Sequence, residues 1–359
     1  MHKKENRCLK LGVLGCGMIC QAAHFDAALK ARNIELYAIC DVAEDLLNQM
    51  ADMYKSKKRY LDYEEMLSDP EVEAVLIGIG DQFHVPCARR ALEAGKHVFV
   101  EKPLGVSVEE CEEIARLAEE KDLIVQVGFM KRFDEGIQFS RKCIREEIGD
   151  VFSAKAWYCD GISRYTLTDN VQPYIFTSAL SKKPQGNPKE NKEHYYLLGH
   201  SCHLFDTVRF LLGDIRSVQA RLSRKGDVYA WTILADMEND VTAVLDLTVA
   251  VRRDWYEGFE VFGTEGSVIT KTYNPWLFLS SEAEVYTRKR EGYFRPMAAD
   301  GHFYRRQLEE FADVILHGSR RTGADAWDGA EAMRAMKAVY DSVHSGGKTV
   351  FLKDVKGGL

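Results

Sequence analysis

Short apolar runs alternate with stretches of helical period along the first third of the chain. Leu9–Leu14, Ile34–Cys40, and residues 74–79, 98–100 and 123–127 are almost uninterrupted apolar segments, the pattern of strands covered on both faces. Between them, residues 21–30, 42–53, 62–67 and 85–94 read as helices, and Gly95 closes the last of these. A further helix starts at Ser107, where Glu110 three residues on completes a capping box. Strand and helix in strict alternation predict an α/β fold: a doubly wound parallel sheet with right-handed crossovers.

The pattern changes after a helix at 133–148. Gly149-Asp150 marks the boundary, and the strands that follow (152–158, 215–222, 229–236, 241–249, 259–262, 268–270 and 284–288) are joined by short connections and many alternate apolar with polar positions. That alternation predicts an open, largely antiparallel sheet with one covered face, leaving the other available to pair subunits. Two domains follow: 1–128 as a nucleotide-binding unit and 129–359 as an α/β unit for substrate binding and oligomerisation. Later helices are expected at 196–212, 302–316 and 327–344. Residues 165–195, with Pro173, Pro184, Gly186 and Pro188, read as one long loop, and Tyr174, Phe176, Tyr195 and Tyr196 make part of it a lid.

Composition agrees with this picture. At 359 residues with 46% apolar and 29% charged residues, the chain is an ordinary globular protein long enough for two cores. A net charge of -7 excludes nucleic acid or an anionic membrane as the main partner. Nine cysteines without paired spacing are those of reduced thiols in a cytoplasmic protein. The basic start at 1–10 resembles a signal segment, but Gly12, Gly15 and Gly17 break the apolar run behind it. No window reaches the ~18 to 20 apolar residues a membrane helix requires.

Candidate chemistry begins where the first strand ends, at Gly15-Cys16-Gly17-Met18-Ile19-Cys20. Gly15 permits a tight turn and Gly17 lets a pyrophosphate approach the helix N-terminus; Cys20 stands where a third glycine is usual, and is small enough for close packing. Asp41 ends the second strand, 24 residues beyond Gly17, where an acid accepts both ribose hydroxyls and repels a 2′-phosphate, favouring NAD over NADP. Capping of the next helix by Asp41 is compatible with that role. Later strand ends bring Gly78, Gln82, His84, Glu101, Lys102 and Gly128 to the same edge as Gly15, Gly17, Met18, Ile19 and Asp41, and all of these are expected cofactor contacts. His200, His203 and Asp206 fall at i, i+3 and i+6 on one helical face. Three readings compete: a metal site, core histidines, or a general acid/base histidine oriented by an acid.

Gly15-x-Gly17, Asp41, Glu101-Lys102-Pro103, Gly128-Phe129-Met130-Lys131-Arg132-Phe133-Asp134 and His203-Leu204-Phe205-Asp206 occur in an order that resembles the Gfo/Idh/MocA oxidoreductases, relatives of glucose-fructose oxidoreductase and inositol 2-dehydrogenase. The resemblance spans nearly the whole chain. It implies a Rossmann domain and an open-faced α/β domain, with NAD and substrate meeting between Lys102 and His203 as the proton-handling pair; no metal is expected, since the His200–His203 helix offers no further ligand pattern. It also implies that Glu101 faces the nicotinamide ribose and that the Lys102-Pro103 bond is cis. Expected substrate contacts are Lys102, Arg132, Tyr165, His200, His203 and Asp206. Many members carry Asp-x-x-x-His, yet here Gly199 holds the aspartate's place, so His200, Asp206 or a lid residue must substitute. That departure is more similar to relatives oxidising a glucoside ring hydroxyl to a 3-oxo-glucoside than to inositol dehydrogenases. The implied substrate is a sugar, glycoside or cyclitol, and the implied assembly a homo-oligomer, whether dimer, tetramer or higher. An NAD-dependent glycosidase using transient C3 oxidation and a non-catalytic NAD-binding regulator are the alternatives from other classes.

Overall fold

A computed structural model describes residues 7–162, 174–181, 190–297 and 300–359. They form two compact units, each with its own sheet. The first takes in 7–130, 174–181 and 304–330, the second the remaining described residues.

In the first unit six parallel strands, β1 (Leu9–Leu14), β2 (Ile34–Cys40), β3 (Lys58–Tyr60), β4 (Ala74–Ile77), β5 (His97–Val100) and β6 (Val125–Val127), lie in the order β3-β2-β1-β4-β5-β6. The order reverses between β1 and β4, and in such sheets the crevice beyond the strand ends at that switch point takes the ligand. The central strands are buried along most of their length, Val75, Leu76, Val98 and Phe99 being 0% exposed, which is why they read as apolar runs. A π-helical turn, Cys20–His24, runs into α1 (Phe25–Lys30), and α2 (Glu44–Tyr54), α3 (Tyr63–Ser68), α4 (His84–Glu93) and α5 (Val108–Lys121) follow. The Ser107–Glu110 capping box is formed at the start of α5.

The second unit contains α6 (Glu135–Glu146), β7 (Val151–Gly161), α7 (Lys192–Tyr196), a π-helical turn at Leu197–Ser201 and α8 (Cys202–Leu212). Its sheet adds β8 (Ile215–Lys225), β9 (Val228–Met237), β10 (Thr242–Val251), β11 (Tyr256–Gly263), β12 (Gly266–Thr272), β13 (Glu282–Thr287), β14 (Gly292–Phe294) and β15 (Val350–Phe351), ordered β14-β13-β12-β11-β7-β10-β9-β8-β15. In this second sheet only the β7–β10 pairing is parallel among the described strands. Tyr158, Trp231, Leu245, Leu247, Val268 and Val285 are buried on one face. On the other, Leu234, Val244, Lys155, Glu260 and Ile269 sit in register as one row across five strands. The loop expected to reach residue 195 ends earlier, because the Asn191 side chain caps α7 and Tyr195 is helical. The part of that loop at 163–173 and 182–189 lies outside the described residues.

The chain then supplies α9 (Phe303–His317) and α10 (Ala326–His344). Within the first unit, Phe311 packs edge-on to Phe99, Gln126 Nε2 donates to the Gln307 carbonyl, Asn33 Nδ2 donates to Glu309 O, and Val127 pairs with Ala324. No helix among the described residues is long and apolar enough to cross a membrane.

Candidate active site

The turn after β1 is shaped by what its glycines lack. Gly15 has φ +104°, and a Cβ there would lie 2.7 Å from the Gly78 carbonyl oxygen. A Cβ on Gly17 would meet nothing within 4 Å, so the outer side of the turn is open to an approaching phosphate. A Cβ on Gly78 would stand 2.4 Å from Cys20 Sγ, so the bare backbone of Gly78 accommodates the cysteine that replaces a third glycine. That thiol lies 3.6 Å from the Gly78 carbonyl, and burial pushes its pKa well up, which keeps it neutral.

Asp41 ties this turn to the next crossover. Its Oδ2 accepts from the Cys16 amide at 2.7 Å and its Oδ1 from the Ala43 amide at 2.8 Å. The N-cap position of α2 belongs to Ala43, so the aspartate precedes the cap and faces the glycine turn instead. Met18 and Gln82 are exposed on the rim, with Ile19 partly so. His84 is buried, its Nδ1 2.6 Å from the Pro103 carbonyl and its Nε2 3.1 Å from that of Ile79, which joins the end of β4 to the turn after β5.

That turn carries Glu101 and Lys102, and the Lys102-Pro103 bond is cis, as the resemblance implied. Glu101 is buried beside Gly128, where a Cβ would come 3.1 Å from its Oε1. Its Oε1 lies 2.7 Å from His24 Nε2, and its Oε2 accepts the Lys102 amide at 3.1 Å. Burial pushes the Glu101 pKa up, but the His24 hydrogen bond and the charges of His24 and Lys102 outweigh it and hold the carboxyl below its usual range. His24 itself is fully buried, with the rings of Phe99 and Tyr304 edge-on at 5.7 and 5.8 Å. Sequence reasoning missed His24 and Gln21; the available signal was two polar residues at i and i+3 in the stripe of the first helix that should be apolar.

In the second unit, Tyr158 on β7 organises the histidines. The His203 ring stacks parallel to it at 6.1 Å, and its hydroxyl lies 3.3 Å from His200 Nδ1. Asp160, two residues along the same inward face, brings Oδ2 to 3.2 Å from His200 Nδ1. Asp160 was not anticipated, because the strand expected over 152–158 runs on to Gly161. Asp206 forms a buried bidentate pair with Arg132, whose Nη2 is 2.6 Å from Oδ1 and whose Nε is 3.1 Å from Oδ2. Lys131 pairs with Glu257, which also accepts from Trp255 Nε1 at 3.1 Å, and its ammonium lies 4.8 Å from the Tyr158 ring centre. A Cβ on Gly199 would meet nothing within 4 Å, so the absent carboxylate is not a matter of room. Asp160, Ile162, Tyr195, Tyr196, His200 and Ala250 line a cavity of about 230 Å³. Tyr165 lies outside the described residues, and among those described no group of three or more His, Cys, Asp or Glu side chains is placed to hold a metal ion.

Comparison with known proteins agrees with both units. Inositol 2-dehydrogenase of Salmonella typhimurium is 26% identical over 355 residues, covering 94% of this chain and 95% of that protein. Two solved structures share the fold: scyllo-inositol dehydrogenase of Lactobacillus casei with NAD(H) and scyllo-inositol (TM-score 0.73, 22% identity, 97% of this chain and 100% of that one), and a levoglucosan dehydrogenase with NADH and levoglucosan (TM-score 0.78, 20% identity, 96% and 100%). Residues 9–129 match the model of an oxidoreductase family with an NAD-binding Rossmann fold and residues 141–269 that of the GFO/IDH/MocA C-terminal domain, so the chain belongs to the Gfo/Idh/MocA family of NAD-dependent oxidoreductases.

Proposed function

We propose that this NAD-dependent dehydrogenase oxidises a secondary ring hydroxyl of a sugar or glycoside, C3 of a glucoside in its most specific form, with Lys102 and His203 handling the proton. The observation that carries the reading is Lys102 at the carboxyl end of β5, on a turn held by buried, ionised Glu101 in a unit of NAD-binding family. NAD, when bound, supplies the acceptor for the hydride leaving the carbinol carbon. Gly15, Gly17, Met18, Ile19, Asp41, Gly78, Gln82 and Gly128 would hold it, and the open face of Gly17 fits a pyrophosphate. Glu101 and His84 act beneath that layer by fixing the turn from which Lys102 projects.

Lys102 takes the hydroxyl proton as the hydride departs, and His203 is the second proton-handling group. Asp160 and His200 stand in for the carboxylate missing at Gly199, since both oxygens of Asp206 are engaged by Arg132. Arg132 and Asp206 thereby fix α8, while His200, Tyr195 and Tyr196 give the sugar polar contacts and apolar walls. A cyclitol is the second reading, favoured by the inositol dehydrogenase among the relatives. The outward face of the second sheet, with Leu234 and Val244 exposed, seats a second copy of the chain.

Incubation with NAD and a panel of glucosides, free sugars and inositols tests the reading. Reduced nicotinamide is expected with a glucoside; its absence across the panel, with NAD binding intact, overturns the proposal, and reduction by inositols alone selects the cyclitol reading. Free sugar released without net reduction identifies a hydrolase. Lys102→Met should lower turnover by ~10² or more while NAD affinity stays within about tenfold; normal turnover removes Lys102 from the mechanism.

A further inference from the structure

Between β7 and α7 the chain contributes residues 174–181 to the nucleotide-binding unit. Two fastenings hold this excursion. The Phe176 amide donates to Gln21 Oε1 at 2.9 Å, and its carbonyl accepts from Gln21 Nε2 at 3.0 Å, a closed pair between backbone and side-chain amide. The same Nε2 donates to the Cys16 carbonyl inside the glycine turn at 2.7 Å. Gln21 is 3% exposed in this arrangement, and the Phe176 backbone satisfies its buried Oε1 and shares its Nε2. The second fastening is Ser178 Oγ, which donates to Asp45 Oδ1 at 2.6 Å and holds that carboxyl below its usual range.

Both anchors border the dinucleotide crevice. Gln21 sits in the first helical turn beyond β1, and Asp45 opens α2 just beyond β2 and Asp41. Those are the strand ends at which a Rossmann unit takes the pyrophosphate and adenosine ribose. At the start of the excursion, Tyr174 and Phe176 pair edge-to-face at 5.1 Å, and Tyr174 is 80% exposed, an aromatic surface a purine can pack on.

We propose that residues 174–178 form a strap across the adenosine half of bound NAD, so that the cofactor leaves only after the Gln21 and Ser178 fastenings open and is retained between turnovers. The strap acts on release: it adds bonds that must break before departure, which appears in the dissociation rate. The inference rests on NAD binding alone and not on the sugar reading, so its test contains no sugar.

Full-length protein loaded with NADH is mixed with excess NAD and release is followed by NADH fluorescence. Ser178→Asp, which sets a carboxylate against Asp45 on the surface, and Gln21→Ala should each speed release about tenfold or more, with the dissociation constant raised by the same factor. Melting of the cofactor-free proteins reports whether each variant folds; if Gln21→Ala does not, Ser178→Asp decides. Release from folded Ser178→Asp within twofold of wild type overturns the strap. So does faster release in Gln21→Ala alone, which would place the effect in the glycine turn.

Discussion

Glu101 is ionised at a place that favours the neutral acid, and the reason lies in two neighbours: His24, and Lys102 through both its charge and its amide. A carboxyl whose folded pKa is depressed stabilises the fold above its unfolded value, near 4.3, and loses that contribution as pH falls through the folded value. Glu101→Gln should therefore be less stable than wild type at neutral pH, and the gap should close as the pH drops below about 4. Urea melts across that range check this; parallel curves would mean that the carboxylate contributes nothing by its charge. The glycine turn at Gly15 and Gly17 and the place of Asp41 behind β2 were legible in the sequence because each answers a local demand of backbone or spacing, whereas Lys102 was singled out as a proton carrier through the family resemblance. His24 was not, since its partner is 77 residues away and only the folded sheet brings the two together. Asp160 was hidden in the same way, behind a tyrosine whose role depends on a helix further along the chain.

Most helices and strands followed from periodicity to within a few residues, and those that did not share a physical cause. Lys58-Arg59-Tyr60 and Gly292-Tyr293-Phe294 are short, mostly exposed strands with no buried face to impose a pattern. The stretch read as one helix over 196–212 begins instead at Lys192 and passes through the π-helical turn Leu197–Ser201. That turn offsets His200 from the register an unbroken α-helix would give it, and Tyr158 can meet the edge of one imidazole and the face of the other. The capping box of α5, read from Ser107 and Glu110 alone, is formed as expected. Ser107→Ala should cost about 1 kcal/mol, visible as a drop of a few degrees in thermal midpoint, with NAD affinity unchanged. A variant that melts with wild type would show that water replaces the cap without loss.

The second sheet leaves a row of side chains exposed on one face. Leu234 and Val244 are paired across β9 and β10 at 43% and 41% exposure, and Lys155 and Glu260 continue their row as an ion pair at 3.6 Å. Alternation in the sequence foretold a face without cover, and a second copy of the chain is the occupant proposed for it. The double variant Leu234→Glu, Val244→Glu should lower the sedimentation mass while leaving each protomer folded, because neither side chain is buried within the chain. An unchanged mass places the contact elsewhere.

The nucleotide-binding unit also draws on residues far from its first strand. Val127 donates its amide to the Ala324 carbonyl, Phe99 leans on Phe311, Trp327 Nε1 donates to Glu119, and a Cβ on Gly329 would collide with Leu104. During synthesis the six parallel strands emerge first, but the last of them keeps an unsatisfied edge until some two hundred further residues have left the ribosome. The nascent amino-terminal portion therefore spends most of translation with an open flank, the stage at which a chaperone has most to protect.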